Sequence, residues 1–195
     1  MSAGFKYDLT PEPSIEERYD VSTGIVRRGP FKLDTTNLNA GDRLPSFIPV
    51  AADLKYKTCK VVRNVKVVEA YTSGGTSLKI KKGSYAYVGM FLGNGTKGTT
   101  VSAIDKSNAS YDVLTVADFG ANIAKDATLF EASAAGGTTP KNVANSALYE
   151  SRKVEDGINL VALLSAAREI EPDKLVVPFS DKDKANLGKD FQFNE

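Results

Sequence analysis

The chain has 195 residues, of which 42% are hydrophobic and 25% are charged, an ordinary composition for a soluble globular domain with an extension. Its 25 basic and 24 acidic residues leave a net charge of +1, so no strong field favours nucleic acid or a membrane surface as a partner. The sequence has no histidine, which excludes Ser-His-Asp and Cys-His catalysis and the usual zinc and non-haem iron sites. Catalysis by carboxylates, lysine or tyrosine stays open, but enzymes become a less favoured class.

The cellular context follows from further features. The longest apolar run, residues 158–167, contains Asn159 and Ser165 and is shorter than the ~20 residues that cross a bilayer. The N-terminus is polar and acidic and lacks the apolar core of a signal peptide. Cys59 is the single cysteine, which excludes an internal disulfide and fits a reducing cytoplasm. Without a histidine to activate it, Cys59 is expected to be a packed residue rather than a nucleophile.

Residues 1–40 differ from the rest of the chain. They combine prolines and many charges with scattered apolar residues that follow neither a helical nor a strand period. This composition is too apolar for a linker and too irregular for a helix. It predicts an extended arm that lies on its own domain or on a partner; a flexible tail is the alternative.

From Gly41 to residue 195 the sequence predicts a mainly β domain. Turn residues recur about every 8 to 12 positions between short apolar runs, which is typical of a small β-barrel or sandwich rather than of βαβ units. Leu78 and Ile80 alternate with polar residues, as in a half-buried strand. The other predicted strands are KTCKVVRNVKVVEAY, YAYVGMFL, TTVSAI, VLTVADF and ATLFEA.

The stretch MFLGNGTKGTTVSAID, residues 90–105, contains a G-x-G-x-x-G pattern at Gly93, Gly95 and Gly98. A dinucleotide site needs a helix after these glycines, whereas the residues that follow Gly98 are β-branched and lead directly into a polar turn. Asn94-Gly95 is instead a favoured type I′ pair between two strands. We therefore predict a surface hairpin at Gly93, Asn94 and Gly95, with no cofactor and no metal.

The C-terminal third mixes three kinds of signal. Residues 134–146 form a small-residue loop, and residues 158–171 fit a helical face and an alternating strand equally well. Ser180 precedes a predicted helix at about 181–187, in which Asp181 and Asp183 occupy the first turn. The terminal FQF reads as an edge strand.

The polar and aromatic residues outside the hairpin give only weak evidence for a functional site. Asp105 and Asp112 flank one turn, where paired acids normally serve solubility. Tyr85 and Tyr87 alternate in a predicted strand, either as exposed aromatic contacts or as half-buried packing, and we favour packing. No catalytic residue is predicted.

Several stretches, taken in order, resemble the head fiber or auxiliary capsid (decoration) proteins of tailed phages of gut anaerobes, including crAss-like phages. The most specific are VGMFLGNGTK, AIDKSNA, YDVLTV and GGTTPKN. The resemblance covers about Gly41 to the C-terminus and leaves the first forty residues outside. It also favours a strand over residues 158–171.

The resemblance implies a structural protein of the bacteriophage virion, synthesised in the bacterial cytoplasm, that decorates the capsid exterior. Its implied partners are the major capsid protein and other head fiber proteins, and trimers among similar proteins imply a homo-oligomer. An arm along a capsid would bury apolar residues and pair its arginines with carboxylates. The expected contact residues are Phe5, Tyr7, Ile25, Val26, Arg27, Arg28 and Phe31.

Two other functions compete with capsid decoration. A glycan-binding adhesion module on the virion surface would use exposed aromatic residues, with Tyr85, Tyr87 and Tyr111 as candidates. An enzyme that relies on carboxylates is the weakest of the three hypotheses.

Overall fold

The computed structural model of the chain describes residues 18–194. The first eight strands are β1 (Asp20–Val26), β2 (Phe31–Asp34), β3 (Arg43–Leu44), β4 (Pro49–Asp53), β5 (Thr58–Val61), β6 (Val65–Lys66), β7 (Ser77–Lys81) and β8 (Phe91–Gly93). The next eight are β9 (Gly98–Asp105), β10 (Tyr111–Val116), β11 (Thr128–Glu131), β12 (Ser146–Leu148), β13 (Arg152–Lys153), β14 (Leu160–Val161), β15 (Leu163–Ile170) and β16 (Phe191–Phe193). One helix, α1 (Asp181–Leu187), precedes β16. The predicted mainly β class with one short C-terminal helix is confirmed.

Six strands form a nearly closed barrel, which we call the small barrel. Their order is β6-β11-β8-β9-β10-β7, and a bridge between Val67 and Ile80 brings the two ends of this path together. In β7 the predicted alternation is present, because Leu78 and Ile80 are buried while Ser77 is exposed. The interior is filled mainly by Val65, Val67, Leu78, Ile80, Met90, Leu92, Val101, Leu114 and Leu129.

The other large unit, which we call the large sheet, has eight strands. They run in the order β1-β15-β12-β4-β5-β2-β14, and β16 pairs in parallel with β15. β14 is at one end of this order and β15 is next to the other end, yet only Ala162 separates them in the chain. The two ends of the sheet therefore lie close together, and the sheet curls around its own core. That core includes Phe31, Leu33, Val50, Val61, Leu148 and Leu163.

The C-terminal segment covers the outer face of the large sheet. Leu164 packs there in a second cluster with Phe179 and Phe191, whereas the adjacent Leu163 faces the inner core. In the same cluster the rings of Tyr19 and Phe47 stack with their centroids 4.6 Å apart. Residues 158–171 are therefore mostly strand, as the resemblance favoured, and β15 begins with two consecutive buried residues, Leu163 and Leu164, because both of its faces are covered there.

Helix α1 begins at a capping box that also fixes its position. The Ser180 hydroxyl accepts a hydrogen bond from the Asp183 amide, and the buried Asp183 carboxylate accepts one from the Ser180 amide. The same carboxylate accepts hydrogen bonds from Asn64 Nδ2 and from the Ala144 amide, both at 2.7 Å. Within residues 18–194, no helix combines the length and apolar character needed to cross a membrane.

Residues 18–40, which the sequence assigned to an extended arm, contribute two strands to the large sheet. β1 pairs antiparallel with β15, and β2 lies between β5 and β14. Phe31 is fully buried in the inner core. The predicted boundary at residue 40 therefore falls after two strands of the domain.

The strand predicted over YAYVGMFL is much shorter than expected, and this prediction is corrected. Only its last residues belong to a strand, β8, while residues 84–89 form an irregular crossing between the two units. Tyr85 packs against the core of the large sheet and Tyr87 against that of the small barrel. The crossing keeps both rings partly buried, so the predicted packing role is right although the predicted strand is wrong.

Candidate functional site

The glycine-rich stretch forms a hairpin between β8 and β9. Gly93 pairs with Gly98, and residues 94–97 make the turn. Asn94 Oδ1 accepts hydrogen bonds from the amides of Thr96 at 2.9 Å and Lys97 at 2.8 Å. The predicted type I′ turn is wrong, because it needs two residues with positive φ and only Gly95 has one, at 96°.

The base of this hairpin lies beneath the loop that begins at residue 134. Gly93 is buried, and a Cβ added to it would lie 2.6 Å from the Gly137 Cα. The Gly95 amide donates to the Gly137 carbonyl at 3.0 Å, and the Asn94 amide donates to the Lys97 carbonyl at 3.1 Å. The first of these hydrogen bonds joins the hairpin to the loop, and the second closes the turn. The glycines therefore serve close backbone packing, and the hairpin is a surface feature only at its tip.

A buried ion cluster lies where the small barrel meets the large sheet. Glu131 Oε1 accepts hydrogen bonds from Tyr87 at 2.7 Å and from Lys141 at 2.8 Å. Arg63 Nη1 lies 3.7 Å from Glu131 Oε2, and Arg63 Nη2 donates to the Thr36 carbonyl at 2.6 Å. The cluster thus ties β11 to the end of β2 and to the segment after β5.

The contacts within this cluster keep Lys141 protonated and positively charged, and Tyr87 protonated and neutral, near neutral pH. The hydrogen bond to Glu131 raises the pKa of Lys141, while partial burial and then the same carboxylate raise the pKa of Tyr87. Both shifts move the pKa values of Lys141 and Tyr87 further above neutral pH, so neither side chain is poised to exchange a proton there. The cluster suits a fixed structural arrangement rather than proton transfer.

Asp105 and Asp112, predicted as a solvated pair, have different environments. Asp105 is exposed, but Asp112 lies in β10 with its side chain only 2% exposed, so its assignment to a solvated loop is wrong. Lys82 Nζ lies 3.1 Å from the Asp112 carboxylate and also donates to the carbonyls of Lys106 and Asn108. The register of β10, which places every second residue inside the small barrel, decides this burial.

The three tyrosines proposed as glycan contacts are not open platforms. Tyr85 donates to the Arg43 carbonyl at 2.7 Å, and burial raises its pKa. Tyr87 belongs to the ion cluster, and the partly buried Tyr111 has Lys79 Nζ 5.3 Å from its ring centroid. Tyr56, which the sequence reasoning missed, is 69% exposed at the turn between β4 and β5.

Cys59 is a core residue, as predicted. It lies in β5 with 1% of its surface exposed, and burial raises the pKa of its thiol to about 12. Among residues 18–194, no group of three or more Cys, Asp or Glu side chains is arranged to hold a metal ion.

A protein-family model described as "Head fiber protein" matches residues 1–194. The chain belongs to the phage head fiber family. Membership makes it a virion-associated structural protein of a bacteriophage, and the match includes the first forty residues, which the resemblance left outside. No curated protein and no solved structure matches the chain.

In this head fiber protein, the exposed contact candidates lie on and beside β1. Ile25 is 60% exposed and Val26 is 44% exposed, and Val21 on the same strand is 52% exposed. Arg28 is also exposed after the strand. Among the described strands, β1 pairs only with β15, so it is an edge strand. Its pairing has two irregularities of register, which make its free edge less suited to pairing with a further strand.

The remaining contact candidates of the head fiber protein divide into two groups. Phe5 and Tyr7 lie outside the described residues. Arg27 donates to Ser146 Oγ at 2.8 Å and to the Asn145 carbonyl, and Phe31 is fully buried. The side chain of Phe31 is therefore core, because β2 sits between β5 and β14 rather than in an arm.

Proposed function

We propose that this protein attaches to the exterior of the phage capsid by binding the major capsid protein, and that it does so as a homo-oligomer. The observation that carries the proposal is the match of the head fiber family model over residues 1–194. Trimers implied by the resemblance make three copies the expected state, alone or with other head fiber proteins.

The exposed face of β1 supports a docking role for this end of the molecule. Val21, Ile25 and Val26 are each more than two-fifths exposed, which is unusual for aliphatic residues of one short strand. The sequence leads into this strand from residues 1–17, which include Phe5 and Tyr7. Such a segment and β1 together would supply apolar contact area, with Arg28 available to pair with carboxylates on the partner.

The experiment is to add purified variants to capsids that lack this protein and to measure co-sedimentation. Deleting residues 1–17, or replacing Ile25 and Val26 together with Asp, should reduce capsid occupancy at least about tenfold, because lost apolar burial and a buried charge oppose binding. Val88→Asp is the control, since Val88 is 62% exposed in the crossing between the two units, outside β1. Full occupancy by both the deletion variant and the Ile25/Val26 variant would overturn the attachment proposal.

The truncation point matters for this experiment. Deletion of residues 1–40 would remove β1 and β2 together with the buried Phe31, and loss of binding would then report unfolding. Circular dichroism and the melting temperature of each variant separate these cases. Light scattering of the full-length protein tests the oligomer, and a monomer at capsid-binding concentrations would contradict that part of the proposal.

A further inference from the structure

A cleft of about 170 Å³ opens beside the ion cluster, where β2 and β5 end. The segment that follows Pro140 forms its opposite wall. Its hydrogen-bond donors come from Thr36, Asn37, Lys60, Arg63, Lys141 and Asn142. Neither the capsid proposal nor the family match assigns a role to this cleft.

Positive charge dominates the walls of the cleft. Lys60, Arg63 and Lys141 contribute three cations, and Asp34 is the carboxylate in the lining. Lys60 Nζ lies 3.6 Å from Asp34 Oδ2, and Glu131 lies behind the wall, in contact with Arg63 and Lys141. Two carboxylates against three cations leave one excess positive charge, which matches a single negative group.

Arg63 is the residue of the cleft that gives the strongest indication of an anion ligand. Only 7% of it is exposed, so its guanidinium has lost most of its contact with water. Nη2 donates to the Thr36 carbonyl, but Nη1 is 3.7 Å from Glu131, and Nε has no hydrogen-bond acceptor within residues 18–194. Glu131 faces this guanidinium from 3.7 Å without a hydrogen bond, so the charge of Arg63 favours an oxygen anion in the cleft through electrostatic attraction.

We propose that this cleft is a binding site for an oxyanion group, a carboxylate or a phosphate, carried by a molecule that approaches from solvent. Lys60, with 59% of its side chain exposed, meets the anion at the mouth, while Arg63 and Lys141 supply the inner charges. Asp34 weakens the site because it places a negative charge in the same wall.

The surrounding contacts make the site rigid. Tyr87 and Glu131 hold Lys141 through hydrogen bonds of 3.3 and 2.8 Å, and Arg63 lies 5.3 Å from the Tyr87 ring centroid. Asn37 adopts φ of 60°, a left-handed conformation that Asn tolerates better than most residues. Preorganised donors of this kind lose little entropy when an anion binds.

The test is titration of the isolated full-length protein with inorganic phosphate and, separately, with glutarate at constant ionic strength. Binding is followed by the NMR shifts of the Asn37 and Asn142 side-chain amides. Lys60→Gln should weaken binding about three- to tenfold, and Asp34→Asn should tighten it by a similar factor, through loss of an attractive and a repulsive charge respectively. Lys125→Gln, an exposed lysine outside the cleft, is the matched control and should change nothing.

The outcomes are distinct. Saturable shifts with phosphate alone or with glutarate alone support the site and identify the group that it accepts, and shifts with both support a general oxyanion site. No saturable shift with either probe, or an effect of Lys60→Gln equal to that of Lys125→Gln, would overturn the proposal. Since no capsid is present, failure here leaves capsid attachment untouched.

Discussion

Gly98 and Gly137 meet backbone to backbone, with no room for a side chain between them. A Cβ on Gly98 would lie 2.6 Å from the Gly137 nitrogen, closer than the 3.0 Å limit that real Cβ atoms respect. The opposing atoms are main chain, so no side-chain rotation can relieve the contact. The loop after β11 is thereby held against the hairpin of β8 and β9.

Gly98→Ala should therefore destabilise the protein by about 1–3 kcal/mol, the usual range for an overpacked site. Urea unfolding would measure the change as a lower midpoint. Gly136→Ala is the matched control, because a Cβ there has open space within 4 Å and the backbone conformation is unstrained. Equal midpoints for the two variants would show that the loop does not pack on the hairpin as described.

The Lys82–Asp112 pair provides a second test. Lys82→Met would leave the Asp112 carboxylate, 2% exposed, without its cation, and should cost about 1–3 kcal/mol of unfolding free energy, less than a fully buried pair because Lys82 is partly exposed. Adding Asp112→Leu to this variant should restore part of the loss. Lys106→Met, in the adjacent turn, is the control; a similar cost there would argue against the pair.

The pKa of Asp118 predicts how the stability of the protein changes at acid pH. Its carboxylate accepts hydrogen bonds from the amides of Gly120 and Gly74, which lower its pKa below the ordinary 3.8. Because the folded pKa is lower than the unfolded one, the stabilisation is present above that ordinary value and is lost as pH falls through the folded pKa. The Asp118 side chain joins the turn after Tyr71 to the turn after β10.

Asp118→Asn should lower the melting temperature at neutral pH and reduce its dependence on pH between about 6 and about 2. Asn keeps one acceptor oxygen but carries no charge to titrate. The exposed Asp156→Asn serves as the control. An unchanged pH profile in Asp118→Asn would rule out this linkage.

Cys59 should be chemically silent in the folded protein. With the thiol pKa raised to about 12 by burial and then by the Asp34 carboxylate, its reaction with a disulfide reagent near pH 8 should be at least roughly 100-fold slower than in urea. Rapid labelling under native conditions would mean that β5 opens readily or that the thiol is accessible.

Local signals explain what the sequence predicted well. The hairpin at residues 90–105 and helix α1 depend on contacts between residues a few positions apart, such as Ser180 with Asp183. The alternation in β7 is visible because one face meets the barrel core and the other meets solvent. The type I′ turn predicted at Asn94-Gly95 is wrong because residues 94–97 make a longer turn, held by the Asn94 side chain and by the Gly95–Gly137 hydrogen bond.

Long-range packing explains what could not be predicted. The cleft formed by Lys60, Arg63 and Lys141 joins residues about eighty positions apart, and no spacing in the sequence signals it. Likewise, Asp is a residue type typical of turns, so the sequence places Asp112 in one. Only the pairing of β10 with β7 and β9 places Asp112 inside the small barrel.

By itself, the sequence determined the β class, the turns and the capped helix, because these depend on backbone conformation and on near neighbours. It also carried the resemblance that the family match confirmed. Only the tertiary structure decided that β1 and β2 belong to the large sheet and that the adjacent Leu163 and Leu164 of β15 are both buried, one on each face. The physical reason is that burial of an apolar residue depends on which distant strand covers it, and period-two alternation disappears once both faces are covered.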